Sequence, residues 1–401
     1  MPLNDLLSSQ RWNVPAAVQD APDVMPSAAT ALVAVVLPPR EGFGPGRTGA
    51  LGQIARRLVA TPGFRTLIIG GPQSGPVFPN VAFVPVRPAF WRPGNVNFRF
   101  GVAVSHRLHQ VNPDLIEVHN RAEIAVQLAR RFPRVPVTLL LNNDPQTLRT
   151  ARSAADRTAL LRQLALVMTS SNYLRGRFLE GVDAAAGTVA VLPNCIDFAE
   201  LPQPQPREKL ILFAGRVVPE KGPEMFAAAC AIALPQLPGW RAEIIGADRF
   251  SEASPDTAFV RTVRAAAHAA GVAMTGYRDH PLVLEAMARA AIVIVPSRWQ
   301  EPFGLTALEA LANGAALIVS PRGGLREVAG DVALYIDPDQ PRSIADAIRS
   351  LARDPARRSA LGEAGRERAR QFDVPATSAR LAALRRDAIA GLRRQLSKRA
   401  M

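Results

Sequence analysis

Short apolar runs recur along the chain, each followed by a polar loop and then by a segment whose apolar positions return every three or four residues. The runs are rich in Val, Ile and Leu and show little alternation, the pattern of strands buried on both faces; the intervening segments read as amphipathic helices. Beyond an irregular lead-in of 28 residues, this predicts strands at 31–38, 65–71, 81–86, 115–119, 135–142, 164–171 and 188–194. Helices are expected at 50–60, 99–111, 122–131, 153–164 and 172–180. After the Pro-rich stretch "LPQPQPREK" (201–209) the pattern restarts. Strands at 210–215, 242–246, 272–276, 291–297, 315–320 and 333–337 alternate with helices at 222–234, 257–270, 281–290, 304–313 and 341–353.

Strands alternating with helices imply parallel sheets covered on both sides. The expected fold is therefore α/β, with two Rossmann-like parallel-sheet domains facing a cleft. Residues 1–200 form the first domain and 201–373 the second. A basic helix at 374–401 closes the chain, packing on a domain with its arginines outward. At 401 residues, two domains are the natural division. No apolar run reaches the length of a membrane span, and the first residues lack the basic-then-apolar order of a signal peptide. Two cysteines far apart, Cys195 and Cys230, fit a reducing compartment without a disulfide framework. The expected location is cytoplasmic.

Charge adds direction. The net charge of +14 comes almost entirely from arginine, because Lys209, Lys221 and Lys398 are the only lysines. Such a bias also follows from a GC-rich genome, so it does not by itself mean nucleic acid. Its distribution says more: no acid occurs from 42 to 113, a stretch that carries Arg47, Arg56, Arg57, Arg65, Arg87, Arg92, Arg99 and Arg107. A one-signed surface of this kind favours an anionic partner or an anionic membrane face. Within it, "PAFWRPGNVNFRFG" (88–101) interleaves aromatics with arginine. Without a nucleic-acid motif, it reads as core packing plus a rim for an anionic glycolipid.

The candidate chemistry gathers in the second domain. "EPFGLTALEALANG" (301–314) follows a strand and opens a helix. Pro302 keeps Glu301 in the loop, and Glu309 falls in the second helical turn. Amides near Phe303, Gly304 and Leu305 are free helix-start donors, suited to phosphate. The two carboxylates would repel phosphate and instead suit sugar hydroxyls. "FAGRVVPEKG" (213–222) places Arg216 and Lys221 in another strand-to-helix loop, a fork and a point charge fit for a diphosphate. Phosphate in the middle and hydroxyl-rich groups at either end describe a nucleotide sugar.

These segments, with "VLPNCID" (191–197) and "GAALIVSPRGGLREV" (314–328), resemble the family 4 retaining glycosyltransferases of GT-B fold. "VHNRAEIAVQLARRFP" and "LLLNNDPQTLR" are similar to the branch that makes bacterial surface polysaccharide and lipopolysaccharide core. The resemblance implies a hexosyl transfer from an NDP-sugar, with a UDP-sugar expected, to a glycan or anionic glycolipid acceptor. In it Arg216 and Lys221 bind the donor diphosphate, Glu301 the donor sugar and Glu309 the ribose. The amides of Phe303, Gly304 and Leu305 complete the phosphate site, and the backbone near Tyr277 and Arg278 meets the base. Relatives usually carry a histidine where this chain has Asn142; Asn can hold a hydroxyl but is no base, and His119 is the nearest imidazole by topology. The loop "REGFGPGRTGALG" (40–52) holds a G-x-G-x-x-G, but no acid follows to take a dinucleotide ribose, so Gly46 and its neighbours are expected to approach the donor across the cleft. No cofactor, metal or nucleic acid is expected; peripheral attachment to the inner face of the membrane, with the terminal helix as one route, is an open alternative to a purely cytoplasmic location. A nucleotide-sugar-binding protein without transfer and a sugar-nucleotide epimerase are the alternatives.

Overall fold

The computed structural model describes residues 30–249 and 253–400. The 28-residue lead-in lies outside the described residues. Residues 31–401 form one compact unit, and two sheets meet within it. The first sheet holds β1 (Ala31–Val36), β2 (Phe64–Gly70), β3 (Phe83–Pro85), β4 (Leu115–His119), β5 (Val137–Leu141), β6 (Leu166–Thr169) and β7 (Val189–Val191). The second holds β8 (Glu208–Ala214), β9 (Arg241–Ile245), β10 (Val272–Gly276), β11 (Ala290–Val295), β12 (Ala316–Val319) and β13 (Ala333–Tyr335). Their orders are β3-β2-β1-β4-β5-β6-β7 and β10-β9-β8-β11-β12-β13. All pairings are parallel, as between β1 and β4 or β8 and β11.

This is the doubly wound order. Its winding reverses between β1 and β4 in the first sheet and between β8 and β11 in the second, and ligands of such sheets lie outside the carboxyl ends at those reversals. Burial follows the sequence pattern: every residue of β4, β5 and β11 is buried. Helices supply the other side of each core, as where Phe226 and Ile348 pack on Ile292 and Ile294 of the second sheet. One connection leads from β7 to β8 through 201–207, and Ile196 bonds back to Phe372 and Val374 on either side of Asp373, so the chain returns beside its own crossing point.

The last helix, Val374–Ala400, lies against the first sheet. Leu381 packs with Ile54, Leu140 and Met168, and Ala382 and Ala388 pack with Val33 and Leu115. Arg385, 2% exposed, donates to both oxygens of buried Glu117 on β4, at 3.0 and 3.1 Å. Arginine on this helix was expected outward; Arg385 points inward because a carboxylate waits inside the sheet. The apolar positions near its start are thus consumed by the fold rather than left for a membrane.

Candidate functional site

Two glycine- or proline-marked loops leave the reversal point of the second sheet. After β8 the chain passes Gly215 and Arg216 to Lys221. After β11 it runs through Ser297 to Glu301, then into the helix Leu305–Ala312. That helix starts at Gly304, whose φ of 110° and lack of a Cβ are both required, since a Cβ would sit 2.5 Å from Leu325 Cδ2. The helix start carries no side-chain cap, which leaves its first amides as donors for a ligand.

A cavity of about 190 Å³ opens between the two sheets. From the second domain Arg216, Tyr277, Arg278, His280, Leu305 and Glu309 line it; from the first come Thr48, Gly49 and Gln53. Arg216 has no hydrogen-bond or ion-pair partner among the described residues. Lys221 and Glu301 do not line this cavity. They pair with each other at 2.5 Å, in loops that flank its lining residues Arg216 and Leu305. Glu301 is 5% exposed and also accepts from Ser297 Oγ. Lys221 Nζ lies 5.5 Å from the Trp299 ring centre. The Phe303 side chain faces the core, edge-on to Phe372, so only its backbone is available to a ligand.

Glu309 is nearly buried, and its Oε1 lies 2.7 Å from His280 Nε2. The sequence singled out Glu309 without its partner, although His280 closes the stretch "TGYRDH" (275–280) that holds Tyr277 and Arg278. Tyr277 meets the first domain through its side chain. Its hydroxyl lies 3.0 Å from Gly46 O and 3.1 Å from Asp279 Oδ1. Gly46, at φ 69°, lets the glycine loop turn there. Gly44 serves loop packing instead, since a Cβ would meet Pro76 O at 2.1 Å. Two further contacts join the halves: Ser171 Oγ donates to Pro302 O at 2.5 Å, and Glu327 accepts from the amides of Asn172 and Tyr173 at 2.7 and 2.6 Å, at the start of the helix Asn172–Leu179.

Across the cleft, the reversal point of the first sheet carries unspent polar atoms. His119 is 1% exposed; its Nε2 lies 3.1 Å from Glu117 Oε1, and its Nδ1 has no partner among the described residues. Asn142 donates its backbone N–H to Asn120 Oδ1 at 2.8 Å, while both side-chain polar atoms are buried and unpartnered among the described residues. Buried polar atoms are normally satisfied, so these unpartnered ones stand out at the carboxyl ends of β4 and β5. Glu41, before the glycine loop, accepts from Gly52 N at 3.1 Å; burial raises its carboxyl above the usual range, against the opposing pull of that amide and of Arg121 and His119. For Glu117 burial pushes upward too, but Arg385 foremost and then His119 outweigh it and hold the carboxyl at about 2.

Comparison with known proteins agrees with this architecture. Residues 51–200 match the family model described as Glycosyltransferase Family 4, and residues 198–368 match that of Glycosyl transferases group 1. The two matches adjoin along the chain, and the paired Rossmann sheets have the GT-B fold. The chain is 35% identical over 189 residues to D-inositol 3-phosphate glycosyltransferase of Corynebacterium glutamicum, covering 45% of this chain and 44% of the relative. The chain thus spans about half the length of the curated relatives it matches. In fold it is similar to sucrose-phosphate synthase of Thermosynechococcus elongatus, with a TM-score of 0.72 at 20% identity over 90% of this chain and 100% of that one. It is also similar to Anabaena Alr3699/HepE in complex with UDP-glucose, with a TM-score of 0.67 at 18% identity over 88% and 98%. These likenesses reach the class as a whole and do not single out the lipopolysaccharide branch.

Proposed function

We propose that the protein is a retaining glycosyltransferase that moves a hexosyl group from a UDP-sugar to an anionic glycan or glycolipid of bacterial surface polysaccharide or lipopolysaccharide. One observation carries the donor side: an unpaired Arg216 and a hydroxyl-accepting Glu309 share a cavity with the uncapped start of the helix Leu305–Ala312. The diphosphate sits against Arg216 and those amides, where fixed cations and dipoles act strongly because little water competes. Glu309, steadied by His280, accepts the ribose hydroxyls. Lys221 reaches the leaving phosphate from its pairing with Glu301, and Glu301 then holds donor-sugar hydroxyls near the reacting carbon. The base lies along the backbone at Tyr277 and Arg278.

The acceptor approaches from the first sheet, where His119 Nδ1 and the Asn142 amide lack partners. Asn142 can orient a hydroxyl but cannot take its proton, so the departing diphosphate oxygen receives it and the new bond forms on the face the leaving group vacates. The N-terminal domain's run of arginines suits a negatively charged acceptor. This reading has support from the D-inositol 3-phosphate glycosyltransferase that the chain resembles in sequence, and from the sucrose-phosphate synthase and the UDP-glucose complex that it resembles in fold.

The test is a thermal-shift screen of nucleoside diphosphate sugars, then release of the matching diphosphate with candidate acceptors. Glu301→Gln and Lys221→Ala each lower turnover by at least about 100-fold while the protein stays folded. Normal turnover in either variant, or stabilisation by sugars without any diphosphate release, counts against it.

A further inference from the structure

The loop between β3 and the helix Val96–Val111 does not behave as the core segment its composition suggests. Phe100 is fully buried, but Phe90 is 83% exposed, Trp91 60% and Phe98 45%. These three rings lie within nine residues, and no acid lies anywhere from 42 to 113. The loop is held in this shape. Ala89, fully buried, donates to Arg99 O at 3.1 Å; Asn95 caps the helix by accepting from Phe98 N at 2.9 Å; the Phe98 ring lies over Gly94. Pro88 and Pro93 stiffen both sides of the pair. Phe90 and Trp91 meet edge to face, 5.1 Å apart at 88°. Ordered backbone thus presents apolar rings to water, flanked by exposed Arg87 and Arg92.

The geometry points to a docking site for a bilayer surface rich in anionic phospholipid, with Phe90 and Trp91 inserted at headgroup depth and Arg87 and Arg92 on lipid phosphates. Aromatic rings favour that depth, and arginines beside them gain from the negative surface. The perpendicular ring pair offers no parallel faces on which successive nucleobases would stack. Topology gives the site a use. The loop leaves the carboxyl end of edge strand β3, on the same rim as His119 and Asn142, so docking there brings that rim to the membrane. Among the described residues no helix is long and apolar enough to cross a membrane, so attachment is peripheral. The use as an acceptor entrance rests on the proposed transfer; the docking itself does not.

Flotation of the full chain with vesicles of phosphatidylcholine, alone or mixed with phosphatidylglycerol, tests it. The chain should float with the mixed vesicles and not with the neutral ones. Phe90→Ser with Trp91→Ser should weaken partition by about tenfold or more, and Arg87→Glu with Arg92→Glu by at least about fivefold per charge. Diphosphate release with a water-soluble acceptor should be unchanged in the double-serine variant, which separates docking from transfer. Failure of the unaltered chain to float, equal flotation of the double-serine variant, or Phe90- and Trp91-dependent binding to single-stranded DNA without vesicle binding would each overturn the proposal.

Discussion

Replacing Arg385 with alanine should be far more damaging than its place on a C-terminal helix suggests. The guanidinium makes two bonds to Glu117, at 3.0 and 3.1 Å, with both side chains 2% exposed. Removing it strands a carboxylate inside the first sheet, with His119 as its remaining partner. Charge-assisted bonds of this kind are worth roughly 1.5–3 kcal/mol each, and breaking a buried pair costs roughly 3–5 kcal/mol. Against a domain stability of about 5–15 kcal/mol, the variant should unfold at a Tm lower by on the order of 10 °C. Urea unfolding at neutral pH measures the loss. Glu117→Leu combined with Arg385→Leu should recover most of it, because no charge then remains buried. The pH dependence has a definite sign. Glu117 is held at about 2 against an ordinary 4.5, so the folded state takes up its proton less readily than the unfolded chain. Its stabilisation is full above about pH 5 and is lost as pH falls through 4.5 toward 2; Arg385→Ala should flatten that acid limb. A cost below about 1 kcal/mol, or a double variant no better than the single one, would refute the reasoning.

Other variants probe the cleft. His280→Ala removes the 2.7 Å partner of Glu309 and should raise the donor KM about tenfold with kcat nearly unchanged; His280→Gln should restore most of the affinity, and a loss confined to kcat would contradict a role in holding the donor. Gly304→Ala drives a Cβ to 2.5 Å from Leu325 at a φ of 110°, and should cost about 1–3 kcal/mol in thermal unfolding together with weaker nucleoside diphosphate binding in calorimetry. Asn142→Ala should raise the acceptor KM while leaving donor affinity within about twofold; an equal loss of donor affinity would move Asn142 to the donor side.

Much of the fold was legible because fully buried parallel strands write continuous apolar runs. The strand 115–119 and the helices 122–131 and 341–353 appear with the boundaries the pattern gave. Strands expected at 81–86 and 188–194 shrink to three residues each, and both are edges, where pairing on one side supports less extension. Arg216 and Glu309 were visible as charged residues in a loop and a second helical turn beyond strand ends. The partners that hold the site were not. Arg385 and Glu117 lie 268 residues apart, beyond any local periodicity. His280 looked like one polar residue among several. The aromatic stretch misled for another reason: ring content signals burial on average, and only the backbone reveals that Ala89 and Phe100 are anchored while Phe90 and Trp91 project.

The central claim is that one cavity between the sheets holds a nucleotide sugar. A crystal structure of the chain with an unhydrolysable UDP-sugar analogue tests it most directly. The diphosphate should lie against Arg216 and the amides at the start of the helix Leu305–Ala312, with the ribose on Glu309 and the sugar toward Glu301. An analogue bound elsewhere, or bound here with its diphosphate turned away from Arg216, would contradict the account.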